Sequence, residues 1–256
     1  MSTLLVIAAT LLAGLGGTTT LGSSTTAPAS ARADAATAVG RSLARPARPT
    51  GPVDAARAAA TRSHVPRPRI VQHLIPFGAR RRAETRAYAE RHYGLNTSAL
   101  RNPRVIVEHW TETTTASSAW NTFADDVPDV ELHELPQTCA HYLIDRDGTI
   151  EQLVSTTLIC RHTVGLNWTA IGIEHVGMSD DDVMDDQAER HASIELTRYL
   201  RCRYDIPVKN VIGHNESLSS PYHHERVAAL RAQTHDDMTR ATMTRYRALL
   251  ARHGCS

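Results

Sequence analysis

Aromatic side chains are scarce. Phe, Trp and Tyr make up 5% of the 256 residues, so a core has to rest on Leu, Ile, Val and Ala. A surplus of one charge is also missing: 28 Lys and Arg stand against 27 Asp and Glu, which excludes the basic excess of a nucleic-acid partner. Nowhere does the chain hold the roughly 18 uninterrupted apolar residues of a membrane helix, so no membrane span is expected. The four cysteines show no CxxC spacing, which excludes a structural zinc knuckle. Collagen-like and coiled-coil readings fail on composition, and a hydrophobic content of 41% argues against a wholly disordered chain.

What is present falls into three stretches. Leu4 to Leu15 is a short apolar run followed by the small-x-small sequences Ala29-Ser30-Ala31 and Ala31-Arg32-Ala33, which together read as a signal peptide over residues 1–31, although Met1-Ser2-Thr3 lacks the usual positive charge. Residues 32–65 are rich in Ala, Arg and Pro and hold almost no large apolar side chain. Such a stretch cannot offset its ordering entropy by burial and reads as a linker, with one short helix at Val53 to Arg62. Residues 66–256 form the folded part, long enough for a single domain. A secreted or cell-wall-associated protein is expected, in a compartment where cysteines pair. Four cysteines allow three pairings; Cys139–Cys160 with Cys202–Cys255 closes the modest loops and is the favoured one.

Periodicity gives the elements. Helices are expected at Ala79 to His92, Thr114 to Ala124, Asp185 to Tyr204 and Thr239 to His253; the third carries apolar positions Ala188, Ala192, Leu196, Tyr199 and Leu200. Strands are expected at Arg104 to Trp110, Cys139 to Ile144, Thr149 to Val154, Ala170 to Val176 and Lys209 to Ile212. Asp147-Gly148 joins the second and third as a hairpin. Strands mixed with helices, one link a hairpin, give an α/β domain with a mixed sheet.

Histidine is abundant at 14 residues. His109 stands near the end of one strand (VIVEHWT) and His214 just after another (VIGHNE), at sheet rims where two imidazoles can meet one metal ion. Within AIGIEHV, alternation puts Ile171 and Ile173 on one face and Gly172, Glu174 and Val176 on the other. A strand glutamate among apolar neighbours needs a partner or a purpose, because an unpaired buried charge is expensive. From the residues alone the reading is a His–His metal site with a nearby acid.

VIVEHWT at 105–111, CAHYLIDRDGTIEQLV at 139–154, RHTVG at 161–165, AIGIEHVG at 170–177 and VIGHNE at 211–216 occur in that order. This series resembles the zinc-dependent N-acetylmuramoyl-L-alanine amidases related to peptidoglycan recognition proteins and phage lysozyme-type amidases. The resemblance implies a central mixed β-sheet flanked by helices, a single catalytic domain, and one zinc ion in a groove. It implies a peptidoglycan or muropeptide substrate, cut between N-acetylmuramic acid and L-alanine, and a monomer is the favoured state. Carried over, His109 and His214 match two zinc ligands and Glu174 the general base. The third ligand falls in Gln233 to Met238, which lacks the family's proline and lies farther from His214; Asp237 is aligned with it, with His235 beside the oxyanion, while the alternative makes His235 the ligand. His162 and Asn167 match a loop that contacts substrate. Ala140 stands where phage relatives carry a catalytic tyrosine, which moves weight onto Glu174.

Overall fold

The computed structural model describes residues 65–255. The expected signal peptide, and the expected linker apart from its last residue, lie outside the described residues. The β-branched run Val105–Trp110 (β2) and the run Ala170–His175 (β5) pair in parallel over six residues each and make the buried centre of the sheet. Tyr142–Ile144 (β3) lies parallel on the other side of β5, and Ile150–Gln152 (β4) returns antiparallel beside β3. Val211–Gly213 (β6) closes one edge along β2, and Val71–Gln72 (β1) closes the other along β4. The six strands run in the order β1-β4-β3-β5-β2-β6. The sheet is mixed, as expected.

Helices cover both faces. Ala79–Tyr93 (α1) and Ala116–Ala124 (α2) precede β2 and β3; Asp180–Asp185 (α3) and Gln187–Arg203 (α4) follow β5; Arg240–Leu250 (α5) ends the domain. Ile106, Ile171 and Ile173 form one core with Leu196 and Leu200 of α4 and Met243 and Tyr246 of α5. Leu143 and Val176, on the other face, pack with Ala119 and Phe123 of α2. Both expected disulfides are formed: Cys139–Cys160 lies inside that second core, and Cys202–Cys255 ties the end of α4 to the chain after α5.

Departures from the expected elements have identifiable causes. The strand expected from Cys139 begins only at Tyr142, because the His141 ring takes the place of a backbone acceptor: its Nδ1 receives the Gly172 N–H at 3.0 Å. The helix expected from Asp185 starts at Gln187, because the Asp186 carboxylate accepts from the N–H groups of Ala188 and Glu189 and caps α4 there; the short α3 before it was not foreseen. The buried stripe of α4 also differs. Ala188 is exposed, while Glu189, Ser193 and Thr197 are buried. Two of these serve a polar network behind the site, described below. Strand β1 was not foreseen, since both of its residues are exposed and carry no alternation.

Candidate metal centre and active site

The β2–β5 register sets His109 directly beside Glu174. Strand alternation then points both side chains away from α4 and α5, on the face of Val107, Gly172 and Val176. β6 pairs with β2 and ends at Gly213, so His214 leaves the sheet next to His109, the two rings 4.7 Å apart and nearly perpendicular.

Asp237 reaches the pair from far along the chain, and two features put it there. A Cβ at Gly213 would sit 1.6 Å from the Met238 carbonyl oxygen, so only glycine lets that backbone lie across the end of β6. Asp180 anchors the same segment. Its Oδ1 accepts from the Met238 N–H (2.8 Å) and the Trp110 indole N–H (3.0 Å), and its Oδ2 from the Thr239 N–H (2.9 Å) and hydroxyl (2.6 Å). Asp237 Oδ2 then lies 3.0 Å from His109 Nδ1, and Oδ1 lies 3.1 Å from His214 Nδ1.

His109, His214 and Asp237 are all buried, with one ligand atom from each within 4.8 Å of the others. Burial works against the Asp237 charge, but hydrogen bonds and charge from the two histidines outweigh it and hold the carboxyl well below the usual range. Burial pushes His214 down to about 4, so its ring is neutral near pH 7 and keeps a lone pair for a metal. Burial also opposes charge on His109; the Asp237 hydrogen bond and the nearby Glu174 outweigh it and raise that group. His214 Nε2 is buried with no hydrogen-bond partner. Two imidazoles and a carboxylate, with this orphaned nitrogen among them, are a donor set that zinc accepts.

Glu174 sits beside this triad, also buried, with Oε2 lacking a partner. Burial raises its carboxyl to about 7; the His109 charge opposes this, while Asp237 and Glu112 add to it. A carboxylate balanced near neutrality can both take and return a proton.

The remaining expected residues divide. His162 packs edge-on against His109, its Nδ1 3.2 Å from His109 Nε2 and its Nε2 buried without a partner, and the residue helps line a cavity of about 50 Å³ shared with His214 and His235. The ring lies where a Cβ of Gly172 would be, 2.7 Å from the built position, so the glycine in IGIE makes room for it. Asn167 is another matter. It is wholly buried; its Oδ1 accepts from the His162 and Thr163 N–H groups (2.8 and 2.7 Å) and its amide donates to Tyr88 (3.1 Å). These three contacts are all made inside the protein, so Asn167 shapes the loop from beneath. His235 stands outside the buried triad. It is exposed, 3.0 Å from Glu131 and 2.8 Å from Gln233, with its ring against that of His214 at 4.8 Å.

Sequence reasoning passed over two supporting groups. Thr163 Oγ1 lies 3.3 Å from His109 Nε2, and its only signal is its place after His162. Behind the sheet, His175 Nδ1 lies 2.7 Å from the His109 carbonyl oxygen and donates to it, and Nε2 meets Ser193 Oγ at 2.8 Å. Ser193 and Thr197 join Tyr246, and Thr197 donates to the buried Glu108 at 2.8 Å. This chain of contacts explains the polar residues on the inner side of α4 and holds the backbone that carries His109.

Residues 99–239, more than half of the chain, match the sequence profile of a family described as N-acetylmuramoyl-L-alanine amidase. The protein belongs to that family. Among solved structures, this chain is similar to the endolysine N-acetylmuramoyl-L-alanine amidase LysCS from Clostridium intestinale URNW, with 22% identity, 56% of this chain and 79% of that one covered, and a TM-score of 0.35. A mutant endolysin from Bacillus subtilis shows 19% identity over 71% of this chain and 98% of its own, with a TM-score of 0.45. The E. coli amidase AmiD, solved with anhydro-N-acetylmuramic acid-L-Ala-D-gamma-Glu-L-Lys, shows 23% identity over 46% of this chain and 51% of its own, with a TM-score of 0.36. No curated protein matched. Among the described residues no helix is long and apolar enough to cross a membrane. Family and buried His–His–Asp cluster together support amide hydrolysis of the zinc type.

Proposed function

We propose that the amidase hydrolyses the amide bond between N-acetylmuramic acid and L-alanine in peptidoglycan, with one zinc ion held by His109, His214 and Asp237. The observation that carries this reading is the buried triad with Glu174 alongside it on the same sheet face. The chemistry that zinc supplies at such a site is Lewis acidity toward the amide carbonyl and an attacking water.

The protein's own groups do the rest. Glu174, its carboxyl raised to about 7 by burial, takes the proton of the attacking water and returns it to the departing amine. His109 and His214 are oriented by Asp237 and packed too tightly to swing away. His235, at the exposed side of His214, donates toward the oxyanion side of the substrate; His162, which helps line the small cavity beside His214, meets the substrate there. The apolar run and cleavage sequences of residues 1–31 support export to the wall, where such a substrate lies.

Purified protein incubated with intact sacculi tests the reading. Stem peptides with a free L-alanine amine should appear by mass spectrometry, with glycan chains left whole, and chelation should stop their release. Release of shortened glycans, or of peptides cut between later residues, would overturn it. Bound metal at one ion per chain is expected in the active protein; a chain that binds wall fragments but never holds metal would be a binding module instead.

A further inference from the structure

At the other end of β2 from His109 the surface carries a feature that catalysis does not use. A cleft of about 570 Å³ lies between the start of β2, the turn after α4 and the start of β6, with Arg104, Arg203 and Lys209 on its walls. A second cleft of about 270 Å³ adjoins it, shares Arg203 and Tyr204 with it, and adds Arg67. Four of the seven tyrosines of an aromatic-poor chain line this continuous trough. Its four cations are exposed, and among the described residues none of them forms a salt bridge, whereas Arg80, Arg91, Arg146 and Arg240 elsewhere on the surface all do. Asp205 is the only carboxylate on the walls.

We propose that this trough is a second binding site, for an anionic glycan. Unpaired arginines in a concave wall suit carboxylate or phosphate groups, which they grip through two parallel N–H donors. The tyrosines suit the other half of such a ligand: the flat C–H faces of sugar rings pack on aromatic rings, and the phenol hydroxyls bond to sugar oxygens. Tyr204 is held by Thr156, 2.8 Å from its hydroxyl, and Tyr222 by packing on the Val105 and Ile212 core; Arg203 and Arg104 lie over these rings at 5.5 and 5.8 Å. The platform is therefore ordered before any ligand arrives. Arg104, in extended backbone just before β2, lies five residues from His109, about 16 Å at some 3.3 Å per residue, so the trough is distinct from the amide-cleaving groove. Saccharide is favoured over nucleic acid because the proposed substrate of the same domain is a glycopeptide polymer. In that respect the inference rests on the reading above.

The full chain titrated by calorimetry with an oligogalacturonate, a neutral chito-oligosaccharide, poly(glycerol phosphate) and a single-stranded oligonucleotide tests this. Saturable binding of the oligogalacturonate is expected, weakened by salt and at least about tenfold tighter than the neutral sugar. The double variant Arg104→Ala, Arg203→Ala should weaken it about tenfold, as loss of two partly exposed ion pairs implies. Tyr204→Ala should weaken it several-fold. Both variants should melt like the parent and release stem peptide from a small soluble muropeptide at the parent rate, so failure of the catalytic reading would show in that assay and not in the titration. Binding of poly(glycerol phosphate) as well, lost in both variants, makes phosphate-bearing wall polymers a source of the ligand beside carboxylate-bearing ones. Binding that ignores these substitutions, equal affinity for the neutral sugar, no binding, or tighter binding of the oligonucleotide would each overturn the proposal.

Discussion

His109 and Glu174 are register partners on the paired parallel strands β2 and β5, so a single ladder sets the spacing between an imidazole of the candidate metal centre and the carboxylate beside it. Neither residue lies on a flexible loop. The same ladder fixes which face each occupies, because a slip of one residue would turn both side chains into the opposite core.

Glu174→Gln keeps the shape and removes the proton acceptor. Zinc content, read by elemental analysis, should be unchanged, while release of stem peptide falls by on the order of 10²–10⁴-fold. An unaltered rate would remove Glu174 from its proposed role.

Asp237→Ala takes away the carboxylate that bonds both histidines. Stoichiometric zinc should be lost, and activity with it. His235→Ala, which alters an exposed residue outside the triad, should keep the metal and reduce turnover. Metal lost from the second variant and kept in the first would instead mark a three-histidine site.

Asp180 touches no ligand side chain, yet it holds both backbone N–H groups that follow Asp237. Asp180→Ala should weaken zinc binding by roughly 10–100-fold, the usual effect of a group that orients a ligand. Competition against a chelator of known affinity measures this, and activity should return when zinc is raised. Parent-like affinity would show that Gly213 and the hydrogen bond from the Asn215 N–H to the Asp237 carbonyl oxygen (3.0 Å) suffice.

Glu189 is fully buried, with no partner for either carboxylate oxygen, and burial together with the Asp186 charge raises it to about 8. Between its ordinary value of 4.5 and about 8 the unfolded chain has released this proton and the folded chain keeps it, so this group makes stability fall as pH rises through that window. Glu189→Gln should flatten that contribution. At pH 8 it should stabilise by on the order of 2 kcal/mol, since the amide still carries part of the desolvation cost. Urea midpoints of both proteins at pH 5 and pH 8 check the sign; a larger pH effect in the variant would contradict it.

Much of this was legible in the residues themselves. β2 and β5 announce themselves as β-branched runs because they are buried on both faces, and the Asp-Gly turn marks the β3–β4 hairpin. Strand parity alone placed Glu174 opposite Ile173, and the two short cysteine loops were enough to indicate the pairing that is formed. These are local properties, fixed by a repeat of two residues or by the nearness of two positions along the chain. What α4 buries was not legible, since Ser193 and Thr197 face inward only to meet Glu108, Tyr246 and His175, all distant in sequence. The internal contacts of Asn167 were not legible for the same reason: nothing near it in sequence tells that Tyr88 lies within reach of its amide.

The choice between Asp237 and His235 marks the boundary most plainly. Both can ligate zinc and they are two residues apart, so neither residue type nor spacing separates them. The chain alone determined that two strand-end histidines and a strand glutamate share one rim of a mixed sheet. Which member of the Gln233–Met238 segment joins the two histidines was decided by tertiary structure. The bare Cα of Gly213 admits the Met238 carbonyl, and Asp180 clamps the next two N–H groups, so the backbone turns the Asp237 carboxylate inward and leaves His235 at the surface beside Glu131. A steric gap and a pair of long-range hydrogen bonds exist only once the strands and α3 have assembled.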